Sequence, residues 1–481
     1  MPIRGYAYDN LFTVLSDNDL DRIHGASFEV LERTGVKFEN EKALKLLENA
    51  GCHVDHETML VKFPGYVVEE ALRRCPGSWT FKGRSPEYDV RISTNTILYS
   101  TGIGIEIVDR KTGERRHSVT ADVPEMIGFL DLLEHVDLLF PPLGFLADKP
   151  MLLNWERLLA ETLKYNKRAF TGGGAMGLVD PRWQVELAQA AGREILGWMG
   201  PGSPLSWSQN VCNLCIQFAE AGFPIGVYCG ACPGATSPAT FAGSLVQQNV
   251  EVLSGIVLAQ LASPGCRVMY GTYLLPMDMR IAAIASAGVE TSLIDMATAQ
   301  IARYYNLPSW TFAPQTDSKV PDQQTGYEKG MQLVLLTLAG INVVAGMGHM
   351  ENEELMSYEQ LVIDDEMVGM VKHLMRGIPV TDETLAVDLI HEVGPLPGHF
   401  LNRKFTKAWW DKEQYLTKIS DRLPYRVWAQ RGSKDILVRA KERVEELFEK
   451  IEPVPLPDDV CREMDKILQA AEKYEAGKTD A

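Results

Sequence analysis

The chain contains no apolar run long enough to cross a bilayer. Its longest, VLSGIVLAQLA at residues 252–262, reaches about half of the roughly 20 residues that a membrane helix requires. The opening segment, MPIRGYAYDN, has neither an apolar centre nor a small-residue cleavage site, so no secretory signal is expected and a cytoplasmic setting is. Cysteine is scarce: eight in 481 residues cannot build a disulfide scaffold, and the cytoplasm would keep them reduced. Basic charge is in deficit, with 47 Lys and Arg against 64 Asp and Glu, and a net charge of −17 would repel the phosphates of a nucleic acid. That acidity suits a cationic ligand only weakly, because many enzymes are acidic for solubility alone. The signatures of common enzyme classes are missing too: there is no G-x-S-x-G, no H-E-x-x-H, no P-loop and no G-x-G-x-x-G opening a helix.

What remains is an ordinary globular composition, 46% hydrophobic and 23% charged, with length enough for one (β/α)8 barrel plus extensions or for a few small domains. Residues 1–95 read as an α+β cap. Ser16-Asp17 precede Leu20, Ile23, Val30 and Leu31 at helical spacing, and Gly35 ends the run. A second helix over about 40–50 stops at Gly51, Met59 to Phe63 reads as a strand, and Val67 to Arg74 as a helix. A hairpin is expected over 104–119, turning at Arg110-Lys111-Thr112-Gly113.

Residues 96–380 alternate regularly. Apolar strand-length runs at 97–102, 136–145, 167–174, 204–209, 224–231, 266–273, 309–315 and 341–348 are separated or followed by helical runs at 152–164, 181–196, 212–221, 238–262, 289–305, 324–339 and 357–374. Eight β-then-α units with right-handed crossovers predict a parallel (β/α)8 TIM barrel, whereas an open doubly wound sheet would more often carry a glycine fingerprint in its first turn. Residues 381–481 read as a C-terminal helical arm that wraps the barrel or a neighbouring subunit. It holds a charged helix near 433–450, the extended EPVPLP at 452–457 and a terminal helix over about 458–475.

In such a barrel the chemistry lies at the carboxyl ends of the strands. Reading those ends gives Tyr99, the Gly172-Gly173-Gly174 turn, Trp207, Gln209, Tyr228, Tyr270, Tyr273, Phe312, Gln315, Asp317 and His349. Aromatics dominate and acid–base pairs are few. Each ring taken singly is more often packing than contact, but as a set they suit a permanently cationic ligand. Cys212-x-x-Cys215 and Cys229-x-x-Cys232 have four-thiolate zinc spacing, yet they fall within regular β/α text, where small buried residues are the commoner reading. His349, after the glycine-rich AGMG, is the histidine best placed at a strand end.

The segments TDSKVPDQQTGYEKGMQLVLLTLAGINVVAGMGHMENEELMSYEQLVIDDEM (316–367), GHFLNRKFT (398–406), IVDRKTGERRHSVTADV (107–123) and the DR…YRVW…G pattern from Asp421 to Gly432 resemble the trimethylamine methyltransferase family across nearly the whole chain. That resemblance implies an oligomeric (β/α)8 enzyme that methylates the Co(I) of a separate corrinoid protein. This partner supplies the corrinoid, so the chain itself holds no tight cofactor and no metal. Archaeal trimethylamine enzymes of the family carry pyrrolysine; this chain has only standard residues and is similar to the non-pyrrolysine branch, whose substrates include glycine betaine, proline betaine, carnitine and γ-butyrobetaine. Glycine betaine is the first choice on frequency within that branch. Some of Tyr99, Trp207, Tyr228, Tyr270 and Phe312 are then expected around the ammonium, with Gln315 and His349 on a substrate carboxylate and Asp317 as an alternative partner for the cation. Two rival readings remain: a zinc enzyme built on the paired cysteines, and a betaine-binding protein without turnover.

Overall fold

Ser16 opens the first helix, Asp17–Arg33, through a reciprocal cap. Its hydroxyl accepts from the Asp19 amide at 3.2 Å, and the Asp19 carboxylate accepts from the Ser16 amide at 3.1 Å. The computed structural model describes residues 12–174 and 179–479, so the opening decapeptide read above for a signal lies outside the described residues. Gly35, at φ 81°, turns the chain into the strand Val36–Phe38. This strand pairs antiparallel with Leu60–Lys62, which pairs in turn with His53–Asp55.

The helices Asp17–Arg33, Glu41–Asn49 and Gly65–Arg74 all pack on Phe241–Ala262. That longer helix is buried on every face, through Leu245, Val250, Val252, Leu253, Ile256 and Val257 among others. A helix buried all round, with its polar side chains Gln248, Asn249, Glu251 and Ser254 hydrogen-bonded inside, is what a position between two layers demands.

Seven strands form one parallel sheet. In spatial order they are Leu98–Thr101, Val343–Met347, Ser309–Thr311, Val268–Thr272, Ile225–Cys229, Gly197–Met199 and Gly173–Gly174. The two edges are linked through one further segment. Leu138 bridges Ser100 and Leu139 bridges Phe170, both in parallel. The Leu139 amide donates to the Ala169 carbonyl at 2.9 Å, and the Thr171 amide to the Leu139 carbonyl at 2.9 Å. Outside the sheet lie Asn154–Tyr165, Arg182–Ala190, Gln209–Glu220, Phe241–Ala262, Val289–Tyr304, Gln323–Ala339 and Tyr358–Met375, close to the expected helices.

One expected strand is displaced. The run at 204–209 is not in this sheet: Ser206–Trp207 leaves it and pairs in parallel with Lys37 and Phe38 of the N-terminal sheet. Its place is taken by Gly197–Met199, which the sequence pattern left between the expected helix at 181–196 and the expected strand at 204–209. The helix Arg182–Ala190 ends several residues earlier than expected, with Gly192 at φ 64° just past it, and Gly197–Met199 at the end of the buried run from Ile195 becomes strand.

At the carboxyl ends of the strands a second small sheet joins the hairpin Glu106–Val108 and Arg115–His117 to Leu355–Met356 and His349–Met350. The C-terminal arm packs on its own chain. Ile436–Phe448 lies on Tyr358–Met375, with the Phe448 ring 5.0 Å from Tyr358 and 5.4 Å from Phe129. Asp458–Thr479 lies on Asn154–Tyr165 and Arg182–Ala190, where the Trp183 indole donates to Glu475 at 2.9 Å. Among the described residues no helix is long and apolar enough to cross a membrane.

Candidate functional site

Which aromatic faces the inside of the sheet is decided by strand alternation, because successive side chains point to opposite faces and residues in register share one. Trp198 is in register with Gly226, and Tyr228 with Gly271, which is itself in register with Trp310. Trp198 and Trp310 lie over these glycines. A Cβ at 226 would stand 2.0 Å from the Trp198 ring, and one at 271 only 2.9 Å from that of Trp310. Small residues opposite large rings let the indoles lie across the floor, their centroids 4.1 Å apart.

The result is a cavity of about 300 Å³ at the carboxyl ends of the strands, lined by Trp155, Trp198, Tyr228, Tyr273, Trp310 and Phe312, with Phe140, Ile103, Met199, Val211 and the Gly173-Gly174 turn. Tyr228 stands 5.8 Å from Trp310. Phe312 meets Phe140 at 5.0 Å and Tyr273 at 5.9 Å, both edge to face. A cation among such ring faces gains about 0.5–2 kcal/mol per well-placed ring.

One charged side chain lines this cavity among the described residues, that of Glu353. It sits in the connection between His349–Met350 and Leu355–Met356, in a turn where Glu351, Asn352 and Glu353 have φ of 50°, 51° and 75°. Left-handed backbone at side-chain-bearing residues costs about 1–2 kcal/mol each. The turn is held by neighbouring loops: the Glu351 amide donates to the Ser318 carbonyl and that of Asn352 to the Thr316 carbonyl, both at 3.1 Å. The Glu353 carboxylate accepts from the Tyr273 hydroxyl and, at 3.3 Å, from Gln315 Nε2. Enclosure raises its pKa to about 7 against the pull of these two donors.

The expected residues divide into three groups. Tyr228 and Phe312 line the cavity, and Gln315 reaches it through Glu353. Tyr99, Trp207 and Tyr270 do not. Tyr99 is in register with Val344 and Thr311, and Tyr270 with Val227 and Ser309, one step out of phase with the inward residues. Their hydroxyls meet Thr337 at 2.8 Å and Asn249 at 3.1 Å in the helix layer. Trp207, off the central sheet, donates to Ser254 at 3.0 Å and stacks on Phe38.

His349 and Asp317 stand apart. His349 is fully buried, its ring 5.1 Å from Phe312. Its Nε2–H donates to the Pro314 carbonyl at 3.0 Å, which leaves Nδ1 unprotonated and, among the described residues, without a partner. Burial and the Lys329 ammonium hold its pKa well below the ordinary histidine value. It is neutral and offers no charge to a carboxylate. Asp317 accepts from Ser286 at 2.7 Å in a separate cleft shared with Asp278, Lys319, Glu351 and Asn352.

The paired cysteines do not converge on a metal site. Cys212 and Cys215 are buried on Gln209–Glu220 and Cys229 at a strand end, and among the described residues no group of three or more His, Cys, Asp or Glu is arranged to hold a metal ion. Burial pushes the Cys212 thiol up to about 12, which keeps it protonated.

Sequence reading missed Trp198, Trp310, Phe140, Trp155 and Glu353. For the two floor tryptophans the glycines that fix the phase, Gly226 and Gly271, lie on adjacent strands and serve as a signal only once the pairing is known. Glu353 had none, because its arrival depends on a left-handed turn in an acidic run.

A family model described as "Trimethylamine methyltransferase (MTTB)" matches residues 6–171 and 188–474. The chain belongs to this family. The resemblance read from its segments is thereby borne out. MTTB-family relatives include a trimethylamine methyltransferase MttB of Desulfitobacterium hafniense, 34% identical over 468 residues covering 95% of this chain and 93% of that one. The MttB of Methanosarcina barkeri is 34% identical over 477 residues, covering 96% and 95%. A glycine betaine methyltransferase of Desulfitobacterium hafniense is 30% identical over 469 residues, covering 95% and 96%. Among solved structures, the Methanosarcina barkeri monomethylamine methyltransferase MtmB aligns over 92% of this chain and 96% of its own with a TM-score of 0.52. At 11% identity this is a likeness of fold alone. As an MTTB-family member, the chain is a methyltransferase.

Proposed function

We propose that this methyltransferase moves a methyl group from a quaternary ammonium compound to the Co(I) of a corrinoid carried by a separate protein. The observation that carries the reading is the aromatic cavity closed by a single carboxylate, which is the complement of an N-methyl cation. Tyr228 and Phe312, from the residues expected at the outset, stand in its wall. The names of the relatives support a methylated amine as donor, and that of the glycine betaine methyltransferase supports a betaine.

The chemistry asks little of the protein beyond placement. The C–N bond breaks with its electron pair left on nitrogen, giving a neutral amine, while the two electrons of the Co(I) acceptor form the new bond to carbon. No proton moves, so the scarcity of acid–base pairs is no obstacle. The rings hold one N–CH3 bond in line and keep water away, and alignment of this kind supplies several kcal/mol of barrier reduction. The two bridges that join Leu138–Leu139 to both sheet edges support closure as an eight-stranded (β/α)8 barrel, with the mouth toward the corrinoid. A homo-oligomer fits the exposed apolar side chains Ile378, Val380, Leu396 and Leu401, and the free cysteines fit a reducing cytoplasm.

The test is an anaerobic screen of N-methylated amines with the purified chain and either free cob(I)alamin or a corrinoid protein, following the Co(I) spectrum. Methylcobalamin should form with at least one quaternary amine. If a folded protein that binds these amines methylates neither acceptor, the reading is wrong.

A further inference from the structure

Among the described residues the cavity carries one charge and no counter-charge. Among the described lining residues Glu353 is the sole ionisable acid and none is Lys, Arg or His; residues 175–178, next to the lining Gly174, read AMGL. Cations nearby are already committed. Lys329 is paired with Asp364 at 2.7 Å, and Arg115 bonds to Glu106 at 2.7 Å and to Glu351 at 2.6 Å.

Donors that could receive a substrate carboxylate are also few. The Nε1 atoms of Trp155, Trp198 and Trp310 are sealed from any water-sized space, and the Tyr273 hydroxyl is spent on Glu353. The Tyr228 phenol remains, as a neutral donor. A short zwitterion would bring its own carboxylate into a space of about 300 Å³ that Glu353 already occupies. The trimethylammonium end would be welcome and the other end repelled.

We infer that Glu353 sets the substrate class of this site, selecting N-methyl ammonium compounds of net positive charge over betaines whose carboxylate lies close to the nitrogen. This rests on the cavity being the amine site, and it makes Glu353 a specificity-determining residue. Its attraction to the cation is strongest before transfer, because the amine that leaves is neutral. The carboxylate therefore lowers KM without raising kcat, because it stabilises the charged ground state at least as much as the transition state.

Choline and glycine betaine decide the matter, since both present a trimethylammonium group with a two-carbon reach and differ in net charge. Calorimetric titration of the full chain at pH 8 should show choline bound about tenfold or more tightly than glycine betaine. Glu353→Gln should weaken choline by about tenfold or more and leave glycine betaine unchanged or improved. In turnover the same variant should raise KM for the cation with kcat unchanged or higher. Equal or tighter binding of glycine betaine by the unaltered protein overturns the inference without any variant, as does an equal loss for both ligands in Glu353→Gln. The two readings fail separately. Charge-ordered binding with no methyl transfer sinks the proposed reaction and keeps the selectivity; transfer that is fastest from the zwitterion does the reverse.

Discussion

Replacing Glu353 by glutamine should stabilise the protein above pH 7 and leave it unaltered near pH 4. The carboxyl has a pKa of about 7 in the folded chain against an ordinary 4.5, and the first cause is its removal from water. A raised acid pKa means that the folded state holds the proton more tightly than the unfolded one. Between pH 4.5 and 7 the unfolded chain releases its proton and the folded chain keeps it, so stability falls across that window and stays low above it. A gap of this size corresponds to at most about 3 kcal/mol, an upper bound because the residue is only partly buried. Glutamine removes the titration and keeps an oxygen that can accept from Tyr273 and Gln315. Denaturant melts of both proteins from pH 4 to pH 8 should therefore coincide at the acid end and separate progressively, with the variant the more stable. A constant offset at every pH, or a variant weaker at pH 8, would refute the account of a carboxylate held at a cost for the sake of a ligand.

Cation binding should itself depend on this proton: choline affinity is expected to be flat above pH 7 and to fall by up to about tenfold per unit below it, read by titration calorimetry, and a pH-independent affinity would count against Glu353 as the partner. Tyr228→Leu should weaken the cation by about 2- to 30-fold through loss of one ring face, whereas Tyr99→Phe and Tyr270→Phe should leave affinity unchanged because those rings face the helices. Lys329→Met should cost about 3–5 kcal/mol of stability, seen in denaturant melts, since it strands the fully buried Asp364 carboxylate that also accepts from the Gly348 amide.

Helices were legible in the sequence because their apolar spacing survives any tertiary arrangement; Val289–Tyr304 and Gln323–Ala339 fall almost where the pattern puts them. Strand phase was not. Tyr270 and Gly271 are adjacent, and nothing local says which of them looks inward; the pairing with Tyr228 and Trp310 decides it. The same kind of ambiguity misassigned the run holding Trp207, whose alternation suits any half-buried strand and whose partner, Phe38, lies far upstream. Glu353 was invisible for a different reason. Its approach to the cavity is a product of backbone strain at three successive residues, anchored by carbonyls of the 316–318 loop. The family, by contrast, could be recognised from long segments that no single pairing determines.

Because Phe241–Ala262 is wrapped by Asp17–Arg33, Glu41–Asn49 and Gly65–Arg74 on its outer side, the N-terminal segment and the seven-stranded parallel sheet share one apolar layer. A chain begun at residue 96 would uncover the face of Phe241–Ala262 that these three helices cover and should be recovered as aggregate. The helices between Asp17 and Arg74 are therefore part of the support of the central sheet, and any fusion or shortened version for study has to retain them.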